Sequence, residues 1–166
     1  SGGFGSKQYF CFDAETGAPV WGVDLDDAGP STAAIEDGVV VVNTESCTIF
    51  ALEASTGKML WSLWLGDPLM SAPSIANGRV FASYPAQGAR GRMAEASHLL
   101  GAFDLKTGKI LWQKWIDGDV ISAPVAVGDE VVAATFTGTV FRMKQETGAL
   151  VSALKARATS APVMAG

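Results

Sequence analysis

The chain has 166 residues, with 12 Lys and Arg against 17 Asp and Glu for a formal net charge of −5. At 48% hydrophobic and 17% charged it can bury a sizeable core, which excludes a disordered chain. The acidic balance argues against a nucleic-acid binder, two cysteines are too few for a disulfide scaffold, and no apolar run approaches the ~20 residues of a membrane-spanning helix.

Taken in chain order, the elements repeat. The stretch 1–6 is Gly-rich and lacks an initiator Met, a basic n-region and an apolar h-region. Two apolar runs follow, joined at Thr16-Gly17. The same dipeptide returns at Thr56-Gly57, Thr107-Gly108 and Thr147-Gly148, at spacings of 40, 51 and 40 residues. Trp21, Trp61 and Trp112 each stand four residues after the Gly, and Ser152 takes that place in the last copy. Asp13, Glu53 and Asp104 stand three residues before the Thr, where the last copy has Lys144. In the same phase, Ser71-Ala72-Pro73, Ser122-Ala123-Pro124 and Ser160-Ala161-Pro162 recur, with a weaker copy at Ser31-Thr32-Ala33.

One period reads as four short strands. Strand A is the Ser-Ala-Pro segment (122–127), strand B follows a Gly-containing turn (131–135), strand C covers 139–143 or 48–52, and strand D carries the Trp (58–65). Asp37-Gly38, Asn77-Gly78 and Gly128-Asp129 between apolar runs are hairpin signals for the A–B connection. Thr-Gly suits the C–D turn, where Gly takes positive φ without steric cost. Four strands per ~40–45 residues is the period of a propeller blade, whereas helical and leucine-rich solenoids have other periods and compositions. The fold expected is all-β: a propeller of four-stranded antiparallel blades, with about four blades in a single partial domain over 1–166. The blades fall at 1–27 (partial), 31–65, 71–116, 122–155 and 160–166 (the start of the next).

The repeat resembles the pyrroloquinoline-quinone-type (PQQ-like) propeller family, whose motif runs Ala-x-Asp-x-x-Thr-Gly-x-x-x-Trp. Residues 51–61 match it with Ala51, Glu53, Thr56, Gly57 and Trp61, and 102–112 with Ala102, Asp104, Thr107, Gly108 and Trp112. The first copy has Cys11 in the Ala position, and the last keeps only Thr147-Gly148. The resemblance implies that these tryptophans dock neighbouring blades, each between its own blade's Gly (Gly17, Gly57, Gly108, with Gly148 in the last copy) and the next blade's Ala. Trp21 is then expected on Ala51, Trp61 on Ala102, and Trp112 against Arg142, stacked on its guanidinium or with the last blade distorted. Cys11 is expected to face a Trp of a preceding blade. The family usually has seven or eight blades, so the reading is part of a ring cut in mid-blade at both ends. The remaining blades of a parent chain, or a second copy, would complete it.

Two features depart from the repeat. About 11 extra residues between strands B and C lengthen the middle spacing, around 85–97. On the propeller face shared by B–C and D–A loops, this insertion offers Gln87, Arg90, Arg92 and Met93 as candidate contacts for a protein partner, since Arg and Met are enriched at interfaces; the plainer reading is a tolerated surface insertion. A short helix over 89–97 is the one helical window. The second feature is acidity in the D–A loops: Asp24, Asp26, Asp27, Asp67, Asp117 and Asp119. These lack EF-hand spacing and read as solvated. His98, the one histidine, has no partner motif. Cys11 and Cys47 lie at different heights on neighbouring C strands and read as thiols.

No catalytic motif is present, and no catalytic, cofactor-binding or metal residues are assigned. The function expected from the resemblance is a non-catalytic scaffold that binds protein, similar to the outer-membrane assembly lipoprotein type, in the periplasm or at the cell surface. The alternative is part of a quinoprotein dehydrogenase oxidising alcohols or sugars with PQQ and Ca²⁺. That branch often carries an adjacent Cys-Cys disulfide, which this chain lacks, and no quinone site transfers residue by residue.

Overall fold

The structure, a computed structural model, describes residues 6–66, 71–86, 97–157, 160 and 162. Among these, strands form one two-stranded and three four-stranded antiparallel sheets. The first sheet pairs β1 (Gln8–Phe12) with β2 (Pro19–Asp24). The second runs β3 (Ala34–Glu36), β4 (Val39–Asn43), β5 (Thr48–Glu53), β6 (Met59–Trp64). The third runs β7 (Ser74–Ala76), β8 (Arg79–Pro85), β9 (His98–Asp104), β10 (Ile110–Ile116), and the fourth β11 (Val125–Val127), β12 (Glu130–Ala134), β13 (Thr139–Lys144), β14 (Leu150–Lys155). Each four-stranded sheet is a meander, and its first strand is innermost: β7 touches both β3 and β11. These are propeller blades around a common axis.

The turn residues explain the meander. Asp37 and Gly38 have φ of 48° and 75°, and Asn77 and Gly78 have 54° and 69°. Two successive positive φ values make the turn whose twist matches the strands it joins. Each C–D turn closes by a pair of backbone hydrogen bonds, such as Gly57 N–H to Glu53 O and Glu53 N–H to Lys58 O, both at 2.8 Å, and Gly108 N–H to Asp104 O at 2.9 Å with Asp104 N–H to Lys109 O at 2.8 Å. Asp104 Oδ1 also accepts from the Thr107 amide (2.9 Å) and hydroxyl (2.6 Å), and Asp13 does the same for Thr16. This is the work of the acidic residue three before the Thr. Where Lys144 replaces it, the turn keeps its backbone bond, Gly148 N–H to Lys144 O at 2.8 Å, while the ammonium pairs with Asp129 at 2.7 Å.

Strand A is shorter than the Ser-Ala-Pro pattern suggests. β7 and β11 begin only after Pro73 and Pro124, because a proline has no N–H to enter the ladder.

The core lies between the sheets. Along β4, Val40 and Val42 face the first sheet with Tyr9, Leu25, Phe50 and Leu52, and Val39 and Val41 face the third with Ile49, Ala51, Val80, Phe103 and Leu105. Side chains alternate along a strand, so a strand buried on both faces must be apolar at every position. That accounts for the unbroken valine run at 39–42. A third cluster, Phe81, Leu100, Trp112, Val131, Ala133 and Met143, joins the third and fourth sheets.

Candidate functional site

Three tryptophans on outer strands reach across the sheet boundaries. Trp21 donates its indole N–H to the Ala54 carbonyl at 2.9 Å, Trp61 to Leu105 at 2.9 Å, and Trp112 to Gln145 at 2.8 Å. Each ring lies over the glycine three residues beyond its acceptor. A Cβ on Gly57 would come within 2.6 Å of Trp21, one on Gly108 within 2.7 Å of Trp61, and one on Gly148 within 2.7 Å of Trp112. Only glycine leaves room there, and φ near +70° at all three favours it again.

This geometry corrects the expected partners. The indole lies on the following sheet's glycine, not on its own. Ala51 stands opposite Trp61 across the β5–β6 ladder and Ala102 opposite Trp112 across β9–β10. Each alanine therefore belongs with its own sheet's tryptophan. Cys11 has the same relation to Trp21 of its own sheet, not to a tryptophan before it. Arg142 does not meet Trp112: it stands opposite Ser152, and its guanidinium pairs with Glu130 at 2.8 Å. Trp112 packs instead on Gly148 and, at a ring separation of 6.0 Å, on Phe81. Gly17 has the same turn and a φ of 71°, with nothing within 4 Å of a built Cβ.

On the loop face, two of the D–A aspartates hold the neighbouring B–C turns. Asp27 accepts from the hydroxyls of Thr44 and Ser46. Asp117 accepts from Thr135 (2.8 Å) and Thr139 and pairs with Lys155 at 2.8 Å. Burial pushes both carboxyls up, but these hydrogen bonds pull each further down, so both lie below the ordinary carboxylate value. Asp119 accepts from its own sheet's Val120 N–H at 2.8 Å and from Ser83 at 3.3 Å. Reading these loops as merely solvated missed this work; the hydroxyl-rich segments 44–48 and 135–139 were the available signal.

At the inner end of this face is a cavity of about 330 Å³, lined by Gly29, Ser31, Thr32, Asn43, Thr44, Glu45, Ser71, Ala72 and Ser122. Its wall draws on three sheets because the repeated serines converge on the axis. Asn43 exchanges hydrogen bonds with Ser31 (2.7 and 3.1 Å) and donates Nδ2–H to the Ser71 carbonyl at 2.7 Å. Ala72 N–H reaches Ser122 O at 2.6 Å. With Nδ2 so committed, Asn43 Oδ1 is buried with no protein donor.

His98 opens β9, its Nδ1 2.8 Å from Ser97 Oγ. No disulfide joins Cys11 and Cys47. Gln87, Arg90, Arg92 and Met93, the helical window and Asp67 lie outside the described residues.

Comparison with known proteins supports this architecture. The chain is 29% identical over 163 residues to the tetrathionate hydrolase of Acidithiobacillus ferrooxidans, covering 87% of this chain and 31% of that one. It is 26% identical over 147 residues to the outer membrane protein assembly factor BamB of Nitrosomonas eutropha, covering 79% and 33%. The quinohemoprotein alcohol dehydrogenase structure from Comamonas testosteroni superposes with a TM-score of 0.71 at 14% identity, over 89% of this chain and 32% of that one. The chain thus spans about a third of the length of each of these three proteins. The family model described as outer membrane protein assembly factor BamB matches residues 9–97 and 82–165. With its blades and repeated indole contacts, the chain belongs to this family of PQQ-like propeller-repeat proteins.

Proposed function

We propose that this propeller module is a non-catalytic scaffold that binds a protein partner on its B–C and D–A loop face, in the periplasm or at the cell surface. The observation that carries this reading is the match of nearly the whole chain to a family described by an assembly factor. The structure is compatible with it: Trp21, Trp61 and Trp112 are committed to contacts between sheets, and Asp27 and Asp117 to holding loops. The insertion with Gln87, Arg90, Arg92 and Met93 belongs by its sequence position to a B–C connection and supplies the contact residues of this reading.

For the quinone reading, the described cavity wall lacks a direct cationic partner. PQQ carries three carboxylates and needs cationic or metal-bridged partners. The described cavity wall holds no Lys, Arg or His, and its one ionisable side chain is Glu45.

The test has two arms. In the first, fluorescence anisotropy follows binding of a labelled, unfolded outer membrane protein, the class named by the BamB relatives. Binding is expected, weakened roughly tenfold or more when Gln87, Arg90, Arg92 and Met93 are all changed to Ala. In the second, the protein is titrated with PQQ and Ca²⁺ while dye-linked alcohol oxidation is followed. Quinone-dependent turnover overturns the scaffold reading, as does failure to bind the outer membrane protein.

A further inference from the structure

The turn between β7 and β8 is held from both sides. Gly78 N–H donates to Glu36 Oε1 of the second sheet at 2.6 Å, and Asn77 Nδ2–H to Gln145 Oε1 of the fourth at 2.9 Å. Its own sheet adds Leu105 N–H to Gly78 O at 3.0 Å. Gln145 is buried, and its Nε2 donates to Gly128 O at 3.2 Å and to Glu130 O at 3.0 Å. With its amide group so committed, Gln145 can offer only the acceptor Oε1 to Asn77. Its backbone is taken up as well, the N–H by Asp129 O at 2.9 Å and the carbonyl by the Trp112 indole at 2.8 Å.

Asn-Gly is also the dipeptide most open to spontaneous deamidation, because glycine places no side chain in the way of its own nitrogen. The Gly78 nitrogen attacks Asn77 Cγ and loses its proton to solvent, the Cγ–Nδ2 bond breaks, and ammonia leaves. Water then opens the resulting succinimide on either side, to aspartate or to isoaspartate. The attack needs the Asn77 side chain folded back on the Gly78 nitrogen. In the structure that side chain reaches across to Gln145 instead, and the nitrogen's proton is held by Glu36. The other asparagine, Asn43, precedes Thr44, whose branched side chain hinders the same attack.

We propose that Asn77 is a latent modification site. The fold shields it while the turn is docked between its neighbours, deamidation proceeds when the turn opens, and the product no longer docks. An aspartate at this position sets an acceptor against Gln145 Oε1, which has no proton to offer and whose amide group is already in use. An isoaspartate reroutes the main chain through its Cβ, adding an atom to a two-residue turn whose strands pair Ala76 with Arg79. Arg79, whose Nη1 donates to the Asn77 carbonyl at 2.9 Å, can offset the new charge but not the facing of two acceptors. The loosening falls where the third sheet meets the fourth. The inference stands on this turn and is independent of the loop face and its partner.

The experiment follows the Asn77 segment by mass spectrometry during incubation in mildly alkaline buffer, in the folded protein, in the urea-unfolded protein and in a blocked synthetic peptide of residues 74–80. The folded protein is expected to deamidate roughly tenfold more slowly than either, or slower still, because only its opened fraction reacts. Equal rates overturn the proposal. Glu36→Ala, which frees the Gly78 N–H, should speed the reaction of the folded protein by roughly threefold or more, and an unchanged rate overturns the shielding. Should that variant fail to fold, the comparison of the folded protein with the peptide still decides. Protein deamidated while unfolded and then refolded is expected to have a lower urea midpoint than protein unfolded only briefly, and Asn77→Asp should lower it too. An unchanged midpoint in both overturns the claim that the product no longer docks.

Discussion

Trp61 lies over Gly108, with its Cδ2 2.7 Å from where a Cβ on that glycine would stand. The indole N–H is satisfied at the same contact by Leu105 O. One side chain thus supplies apolar burial between two blades and pairs a carbonyl of the second, and the arrangement recurs for Trp21 with Gly57 and Trp112 with Gly148.

Removing the ring should be costly. Trp61→Ala is expected to destabilise by about 3–5 kcal/mol, as the loss of a large buried aromatic does. It also leaves Leu105 O without its donor. Urea unfolding measures the loss, and an unchanged midpoint would contradict the contact.

The glycines separate two effects. Gly17 and Gly108 share a φ near +70°, so alanine at either pays a backbone penalty of ~1–2 kcal/mol. Only at Gly108 does the new Cβ also strike an indole. Gly108→Ala should therefore cost clearly more than Gly17→Ala, and equal midpoints would show that the ring is not seated there.

Acid should weaken the loop supports. Burial raises the Asp117 carboxyl, but Lys155 and the hydroxyls of Thr139, Thr137 and Thr135 lower it more, leaving it well below 3.8. The folded state then binds fewer protons than the unfolded chain in this range. The stability this group contributes is complete above pH 3.8 and is lost as pH falls below it, through the folded value. Asp117→Asn is expected to cost about 1–3 kcal/mol at neutral pH and to flatten the fall in stability below pH 4. Denaturant melts at a series of pH values decide this.

Arg142 provides a contrast. Its side chain is 52% exposed and paired with Glu130. Arg142→Ala should cost no more than about 1 kcal/mol, the worth of an exposed ion pair. A larger loss would revive its stacking on Trp112.

The blade period, the hairpin turns and the all-β architecture were legible in the chain itself, because each is written in residues close together. Asn77-Gly78 and Thr56-Gly57 dictate their turns through φ alone, and the valines at 39–42 announce a strand buried on both faces. The tryptophans were equally visible as a repeat, but their partners were not. Ala51 and Gly57 sit six residues apart in the same motif, and both are small, so the sequence could not say which of them receives the indole of the preceding blade. The ladder register turned Ala51 toward Trp61, and the packing of one sheet on the next put Gly57 under Trp21. The axial cavity likewise depends on the tertiary structure. Ser31, Asn43, Ser71 and Ser122 are scattered over three repeats, and they meet only because antiparallel blades bring the start of every inner strand to one axis.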